Sequence, residues 1–211
     1  NTPRSEAPGS NVKTGTLAVF MNGVKKQIHG AVGNFQIVLP TGRMARIDWT
    51  FTGIWDTPTD TAIITPTYPT AAPIKYSNAT TTYDSTAICN EQITIDCGNV
   101  VQPIECENSA AGFKHFIVVD RYPKATLNPE SSLVATRDWY GDLIGNTEAA
   151  LSIALDGPTD STITIAAPKA QVLNAQEADR NMIVTDDIEL GFNKNGASAD
   201  QEFTITFAES T

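Results

Sequence analysis

Apolar and polar residues alternate in short runs along most of this chain, which is the pattern of β-strands with one buried and one solvated face. The clearest run follows Arg43. Its apolar positions are Ala45, Ile47, Trp49 and Phe51, and the polar positions between them are Arg46, Asp48, Thr50 and Thr52. The alternation predicts a strand whose apolar row lies in the core and whose polar row faces solvent, ending at Gly53.

The same reasoning predicts strands along the rest of the chain. Asn22-Gly23, between two apolar runs, is a strong signal for a two-residue hairpin turn. Further strands are predicted at Glu91–Cys97, Phe113–Arg121, Leu151–Leu155, Thr162–Ala166, Met182–Leu190 and Glu202–Phe207. The run at 113–121 is apolar on both faces near its centre, which predicts a strand covered on both sides. The chain is therefore predicted to be mainly β, in a sandwich or barrel-like fold.

One flanking α-helix is predicted over 128–145. Asn128 suits the N-cap, Pro129 suits the first helical position, and Gly145 is placed to end the helix. A stripe at helical spacing is predicted to pack against the sheet, and its members are Leu133, Arg137, Tyr140 and Ile144.

Two segments are predicted to be irregular. Residues 1–13 are polar and hold two prolines, so they are expected to form a flexible arm. The segment 55–76 is rich in threonine and carries four prolines, Pro58, Pro66, Pro69 and Pro73, which forbid a regular central strand. It is predicted to be a long loop. Everything from residue 14 to 211 is predicted to form one domain around one core.

The charge, the hydrophobic content and the cysteines of the chain argue against several classes of function. Asp and Glu number 24 against 14 Lys and Arg, a formal net charge of -10, which argues against a protein that grips nucleic acid through phosphate contacts. No run approaches the roughly 20 apolar residues of a membrane helix. The three cysteines, Cys89, Cys97 and Cys106, match neither a redox pair nor a zinc ligand set, so they are expected to be reduced, buried or half-buried thiols.

No motif for catalysis is present. The sequence holds no phosphate-binding loop, dinucleotide fingerprint, nucleophile elbow or metalloprotease helix. His29 and His115 lack partners at triad or ligand spacing, so both are interpreted as structural. Asp186 and Asp187 are neighbours on a predicted strand and point to opposite faces, so solvation is the expected explanation for both. We therefore expect that the protein is not an enzyme and that it binds neither a cofactor nor a metal.

What remains is a recurring polar face made of hydroxyls and carboxylates. It is carried by several predicted strands, with the members Asp48, Thr50, Thr52, Thr94, Asp96, Thr185, Asp187, Glu189, Glu202, Thr204 and Thr206. One interpretation is a sandwich with two solvated outer faces. The other is that these strands together form one continuous acidic, hydroxyl-rich wall.

Several segments resemble the tail tube (major tail) proteins of long-tailed bacteriophages. The resemblance is strongest over Ile117-Val118-Val119-Asp120-Arg121, Leu127-Asn128-Pro129-Glu130 and the run from Val134 to Gly141. Further segments similar to the family are Met44 to Gly53, Ala167 to Gln171, Asp179-Arg180-Asn181 and the closing strands from Glu189 to Phe207. Residues 55–90 match nothing in the family pattern.

The resemblance implies a structural virion protein. Its copies would form homohexameric rings stacked into a hollow tube, with the polar strand faces lining an acidic lumen through which DNA passes during ejection. The loop 55–76 and the arm 1–13 would reach neighbouring subunits. The implied partners are other copies of the chain and other tail proteins, namely the tape measure, terminator and distal tail proteins. The implied location is the phage tail, assembled in the bacterial cytoplasm, with no membrane partner.

Two alternatives share this composition. A capsid decoration or baseplate β-domain would form trimers or monomers instead of rings. A carbohydrate-binding β-sandwich would use exposed aromatic residues as stacking platforms. Trp49, Trp139 and Tyr140 are expected to pack in the core, whereas Trp55 is expected to be exposed.

Overall fold

A computed structural model describes residues 13–68, 72–157, 162–196 and 201–208. These residues form mainly antiparallel strands with one short helix, so the predicted mainly-β class is confirmed. The predicted arm lies outside the described residues except for Lys13. The elements are β1 (Gly15–Met21), β2 (Val24–Pro40), β3 (Arg46–Trp55), β4 (Thr59–Asp60), β5 (Thr80–Tyr83), β6 (Thr86–Ala87), β7 (Asn90–Asp96), β8 (Asn99–Glu105), β9 (Phe113–Arg121), β10 (Lys124–Pro129), α1 (Trp139–Gly145), β11 (Glu148–Asp156), β12 (Thr162–Arg180), β13 (Ile183–Phe192) and β14 (Thr204–Ala208).

The described residues divide into two compact units. Among the described residues the first unit holds 13–35, 49–68 and 97–121, and the second unit holds the remainder. Strands β2 and β3 each contribute residues to both units. The single domain over 14–211 stays a prediction.

The first unit is built on a hairpin. Strands β1 and β2 pair in antiparallel register and turn at Asn22 and Gly23, whose φ angles of 50° and 80° are those of a type I′ turn. The hairpin predicted from this dipeptide is confirmed. Strands β3 and β4 pair with β2, while β8 and β9 pair only with each other within the described residues.

Strand β9 has the predicted bounds but not the predicted burial. Only Phe116 is buried in it, and Val119 is 39% exposed. The prediction of a strand covered on both faces is wrong for this chain, because Val118 on one face and Ile117 and Val119 on the other stay partly or largely accessible to solvent. Apolar residues alone could not show which neighbours would be present.

The second unit is one large antiparallel sheet. Its strands run in the order β7-β10-β13-β12-β11-β5-β6, with Gln36–Pro40 of β2 beside β7 and with β14 beside β12. One face of this sheet forms the core. Its largest fully buried side chains in the strands are Leu39, Tyr83, Ile93, Ile95, Leu151, Ile153, Leu155, Val172, Ile188 and Leu190.

The helix is much shorter than predicted. It begins at Trp139, where Asp138 is the N-cap and accepts a hydrogen bond from the backbone N–H of Gly141 at 2.7 Å, and it ends at Gly145. The predicted start belongs instead to β10, because residues 124–127 pair with β7 on one side and β13 on the other. Pairing with two strands satisfies more backbone N–H and C=O groups of these residues than the first turn of a helix would.

The predicted packing stripe is also wrong. Leu133 and Ile144 are 78% and 82% exposed and Tyr140 is 42% exposed, so none of the three lies in the core. Only Arg137 of the stripe is buried. Trp139, beside the stripe, is 3% exposed, as expected for core packing.

Arg137 is the centre of a compact cluster in the second unit. Its guanidinium carbon lies 4.4 Å from the ring centroid of Tyr83 and 4.6 Å from that of Trp139, which are cation–π distances. Its nitrogens form ion pairs with Asp84 and Asp142. The cluster therefore joins the segment before α1, the helix itself and strand β5 through one buried cation.

The predicted long loop is irregular in its described part. Between Asp56 and Ile74 the only regular element among the described residues is the two-residue strand β4, and nearly all of these residues are exposed. The backbone N–H of Thr61 donates to the carbonyl of Gly23 at 2.8 Å, which ties the loop's start to the β1–β2 turn. Its role between subunits stays a prediction.

Candidate channel-lining surface

The polar strand residues of the second unit collect on the face of its sheet opposite the core. Across neighbouring strands, Thr94 lies opposite Thr126, Thr126 opposite Glu189, and Glu189 opposite Asn174. In the next row Asp96 lies opposite Lys124. We call this surface the outer face, defined by Thr94, Asp96, Lys124, Thr126, Asn174, Gln176, Asp187 and Glu189.

Strict alternation along each strand produces this separation. In β7, Ile93 and Ile95 are fully buried, whereas Thr94 and Asp96 between them are partly exposed. Ala125 and Leu127 of β10 continue the buried side. Because side chains on a strand point to opposite faces in turn, this register places the apolar residues of β7 and β10 on the core side and Thr94 and Asp96 on the opposite side.

Strand β14 extends the outer face along the same side of the sheet. Thr204 and Thr206 lie opposite Ala166 and Thr164 of β12. Irregularities of register at 167–170 and 172–174 keep the buried residues of β12 on one side, so its outward residues stay on the other. Six candidates thus share one outward side: Thr94, Asp96, Asp187, Glu189, Thr204 and Thr206. That this side borders a channel stays a prediction.

Two of the remaining candidates in this unit behave differently. Thr185 is 2% exposed, and its hydroxyl donates to the carbonyl of Ala178 at 3.4 Å. Its assignment to a solvent-facing wall is wrong, because its own chain covers it. Glu202 precedes β14 and is half-buried outside any strand.

The other three candidates lie on β3. Asp48, Thr50 and Thr52 are all exposed and alternate with the apolar residues Ile47, Trp49 and Phe51, which we call the β3 apolar row. The row was predicted to be core, but its members are 41%, 57% and 40% exposed. That prediction is wrong for the isolated chain, since the described residues leave both faces of this strand open.

The β3 apolar row is nevertheless ordered by aromatic contacts within the first unit. The ring of Trp49 lies 5.0 Å from that of Phe35 and stacks on that of Phe51 with a centroid distance of 5.6 Å and an interplanar angle of 8°. Stacked aromatic rings of this kind form a flat, rigid apolar surface. Trp55 is 54% exposed, as predicted.

Charge is distributed unevenly between the two units. Among the described residues the first unit holds five Lys and Arg and five Asp and Glu, whereas the second holds eight and fifteen. The acidic excess therefore lies in the second unit, which carries the outer face. One acid of that face is neutralised, since the Lys124 ammonium lies 2.6 Å from a carboxylate oxygen of Glu189.

Lys124, Thr126 and Asn128 are residues of β10 that the sequence-based list omits. Thr126 and Asn128, together with Glu91, Gln92 and Asn174, border a shallow polar depression of about 500 Å³ on the outer face. The side-chain oxygen of Asn128 accepts hydrogen bonds from the backbone N–H groups of Glu91 and Gln92 at 3.1 and 2.9 Å. Polar and apolar residues alternate from Lys124 to Asn128, which is the pattern of a strand. This signal was obscured because Asn128 and Pro129 also suit the start of a helix.

Asp186 departs from the expectation of simple solvation. It is 5% exposed, and burial raises the pKa of its carboxyl above the ordinary value of 3.8. A hydrogen bond with Ser131 acts in the opposite direction, while the nearby carboxylates of Glu177 and Asp187 raise the pKa further. Its neighbour Asp187 is exposed, so the predicted placement on opposite faces holds.

This burial predicts a pH-dependent effect of Asp186→Asn. A carboxyl with a raised pKa in the folded state favours folding while it is protonated, and that contribution is lost as pH rises through the folded-state pKa. The amide stays neutral, so the variant should gain stability relative to the native chain as pH rises from 4 to 7. Urea unfolding at a series of pH values measures this, and a pH-independent difference would contradict the assignment.

No group of three or more His, Cys, Asp or Glu that could hold a metal occurs in the described ranges. His29 pairs with Asp56 at 2.8 Å. None of the three cysteines forms a disulfide within the described residues, and Cys89 is exposed, not buried or half-buried as expected. No helix in the described part has the length and apolarity to cross a membrane.

Comparisons with known proteins give no family match but do give structural likenesses. No family model matches the chain, and no curated protein matches it. Among solved structures it is similar to the tube-terminating cap of the anti-feeding prophage, determined by cryo-EM, with 16% sequence identity and a TM-score of 0.46. The likeness covers 70% of this chain and 97% of that one.

Proposed function

We propose that this chain is a structural subunit of a phage-type tail tube, whose copies assemble into stacked hexameric rings around a channel for DNA. The observation that carries the proposal is the β3 apolar row. It lies on a ten-residue strand exposed on both faces, with the polar residues Asp48, Thr50 and Thr52 on the opposite side. This arrangement suits a wall strand that meets protein on one side and water on the other.

An exposed, ordered apolar row favours self-assembly. Soluble monomers seldom display contiguous apolar patches of large side chains, and such patches commonly mark interaction surfaces. Trp and Phe are also enriched at the centres of protein interfaces. A second copy covering Trp49 and Phe51 would remove from water the side chains that the isolated chain leaves 57% and 40% exposed.

The outer face suits the channel wall in this proposal. Its hydroxyls and carboxylates are hydrophilic, and the second unit that carries it has the acidic excess. A wall of the same sign as DNA makes few phosphate contacts, which keeps friction low during ejection. Lys124 is held by Glu189, so this cation is less available to grip a phosphate.

The remaining parts of the proposal follow from this role. The chain would act in the virion tail after assembly in the host cytoplasm, as a structural protein and not as an enzyme. It would bind other copies of itself and the tape measure, terminator and distal tail proteins, with DNA passing transiently. No cofactor is invoked.

Negative-stain microscopy of the purified full chain tests the assembly. We expect rings or hollow tubes that become more abundant as protein concentration rises. Monomers or trimers at every concentration would contradict the tube and favour a decoration or baseplate domain. Monomers that bind glycans through Trp49, Phe51 and Trp55, all exposed, would favour the carbohydrate-binding alternative.

The channel is tested on particles carrying assembled tubes. Asp187→Lys places a cation on the outer face, and we expect it to slow DNA ejection about threefold by creating phosphate contacts. Glu107→Lys makes the same charge change at an exposed position of the first unit, which does not carry the outer face, and should leave the rate unchanged. Equal ejection rates for both variants, in tubes of normal length, would place the channel wall elsewhere.

A further inference from the structure

The end of the β12–β13 hairpin carries a second exposed apolar surface. Met182, Ile183 and Val184 are 95%, 49% and 56% exposed. Beside them the backbone N–H of Ser131 donates to the carbonyl of Val184 at 3.1 Å, which holds a segment whose Leu133 and Val134 are 78% and 66% exposed. We call these five apolar residues the hairpin tip.

Met182 is placed at a conformational cost. Its φ of 68° lies in the left-handed region, which favours glycine and is unusual for a long side chain. The backbone N–H of Met182 bonds to the side chain of Asp179 at 3.2 Å, which fixes the turn. A glycine would adopt this backbone conformation with less strain and would expose no apolar side chain. Within the fold, therefore, a methionine at this position has no evident stabilising role.

We propose that the hairpin tip of one copy docks on the β3 apolar row of a second copy. This inference rests on the proposed function and names the surfaces that meet in the assembly. Methionine is flexible and makes favourable contacts with aromatic rings, and the row presents the stacked pair Trp49 and Phe51. The two surfaces differ, so the contact is head-to-tail and can repeat along a ring or stack.

Charge favours this pairing over tip-to-tip association. The exposed acids Glu177, Asp179 and Asp187 lie on the strands next to the tip, where Arg180 is the neighbouring cation and is paired with Glu91. Within the described residues the second unit has fifteen acids against eight bases. Two tips meeting would bring like charges together. The first unit has equal numbers of each sign among its described residues, so an acidic tip meets no repulsion there.

Cross-linking tests the contact directly. A photoreactive benzophenone side chain is introduced at position 182 of the full chain, and assembled material is irradiated and digested. We expect cross-links between chains to map to the peptide that contains Trp49 and Phe51. Cross-links from assembled tubes that map to another tip or to any other segment would overturn the docking while leaving the proposed tube intact.

A substitution series separates docking from folding. Met182→Gly relieves the positive φ, so the monomer should unfold at no lower urea concentration, yet the protein concentration needed for assembly should rise about tenfold because a central interface side chain is lost. Met182→Leu keeps an apolar side chain and should assemble within about twofold of the native chain. Assembly of the glycine variant at the native concentration would overturn the inference. A native chain that never assembles would overturn the proposed function as well.

Discussion

Arg137→Ala should lower the free energy of unfolding by roughly 3–5 kcal/mol, because it removes a buried cation and leaves its partners behind. The Arg137 side chain is 7% exposed and is held by Asp84 and Asp142. The ring centroids of Tyr83 and Trp139 lie 4.4 and 4.6 Å from its guanidinium carbon, so each ring would lose the group that packs on its face. Urea unfolding monitored by Trp fluorescence measures the loss.

Arg180→Ala is the matched control for this prediction. Arg180 also pairs with a carboxylate, that of Glu91 at 3.3 Å, but the side chains are 27% and 62% exposed. An ion pair this accessible contributes about 1 kcal/mol or less. Equal losses for the two variants would show that Arg137 is not the centre of a cooperative cluster. Arg137→Lys should recover only part of the loss, since an ammonium cannot match a planar guanidinium between two rings and two carboxylates.

The strands were predictable because their signal is local. Alternation in β7 and β13, and the Asn22-Gly23 turn, specify strand, face and hairpin from a few consecutive residues. The helix was misplaced for the opposite reason. Asn128 and Pro129 suit a helix start, yet β10 is fixed by pairing with β7 and β13, which lie far from it along the chain. Long-range ladders override local capping signals.

Burial was less predictable than secondary structure. The β3 apolar row has the alternation of a core strand, and nothing in the sequence distinguishes a core within the chain from an interface between chains. Thr185 shows the converse, since a hydroxyl in a polar row is buried by its own chain. Alternation identifies which residues share a face, but only the neighbouring elements determine whether that face is covered.

The outer face was predicted in part for the same reason. Thr94, Asp96, Asp187 and Glu189 belong to strands that the sequence defines, and the register of β10 joins them through Thr126 and Lys124. Because Asn128 and Pro129 were assigned to the helix and no strand was predicted for 124–127, the strand that connects the two acidic rows was missing from the prediction. The ion pair between Lys124 and Glu189 was therefore missed as well.

Gly33→Ala should destabilise the first unit by about 2–3 kcal/mol, because an added methyl group would force strands β2 and β3 apart. A Cβ at Gly33 would overlap the carbonyl oxygen of Thr50 and would lie 2.9 Å from Cδ1 of Phe51. The stacked pair of Trp49 and Phe51 is built on this approach, so the variant should also raise the protein concentration needed for assembly. Thermal unfolding and negative-stain microscopy measure the two effects.

Gly15→Ala is the matched control on the neighbouring strand β1. A Cβ there meets nothing within 4 Å, and Gly15 has no positive φ. The change should therefore be neutral or stabilising by up to about 1 kcal/mol, since alanine restricts the unfolded chain without straining the folded one. Opposite signs at the two glycines would establish that close packing between β2 and β3 causes the Gly33 effect. A Gly33→Ala variant as stable as the native chain would mean that the two strands can separate freely, and the ordered apolar row on which assembly is proposed to depend would lose its structural basis.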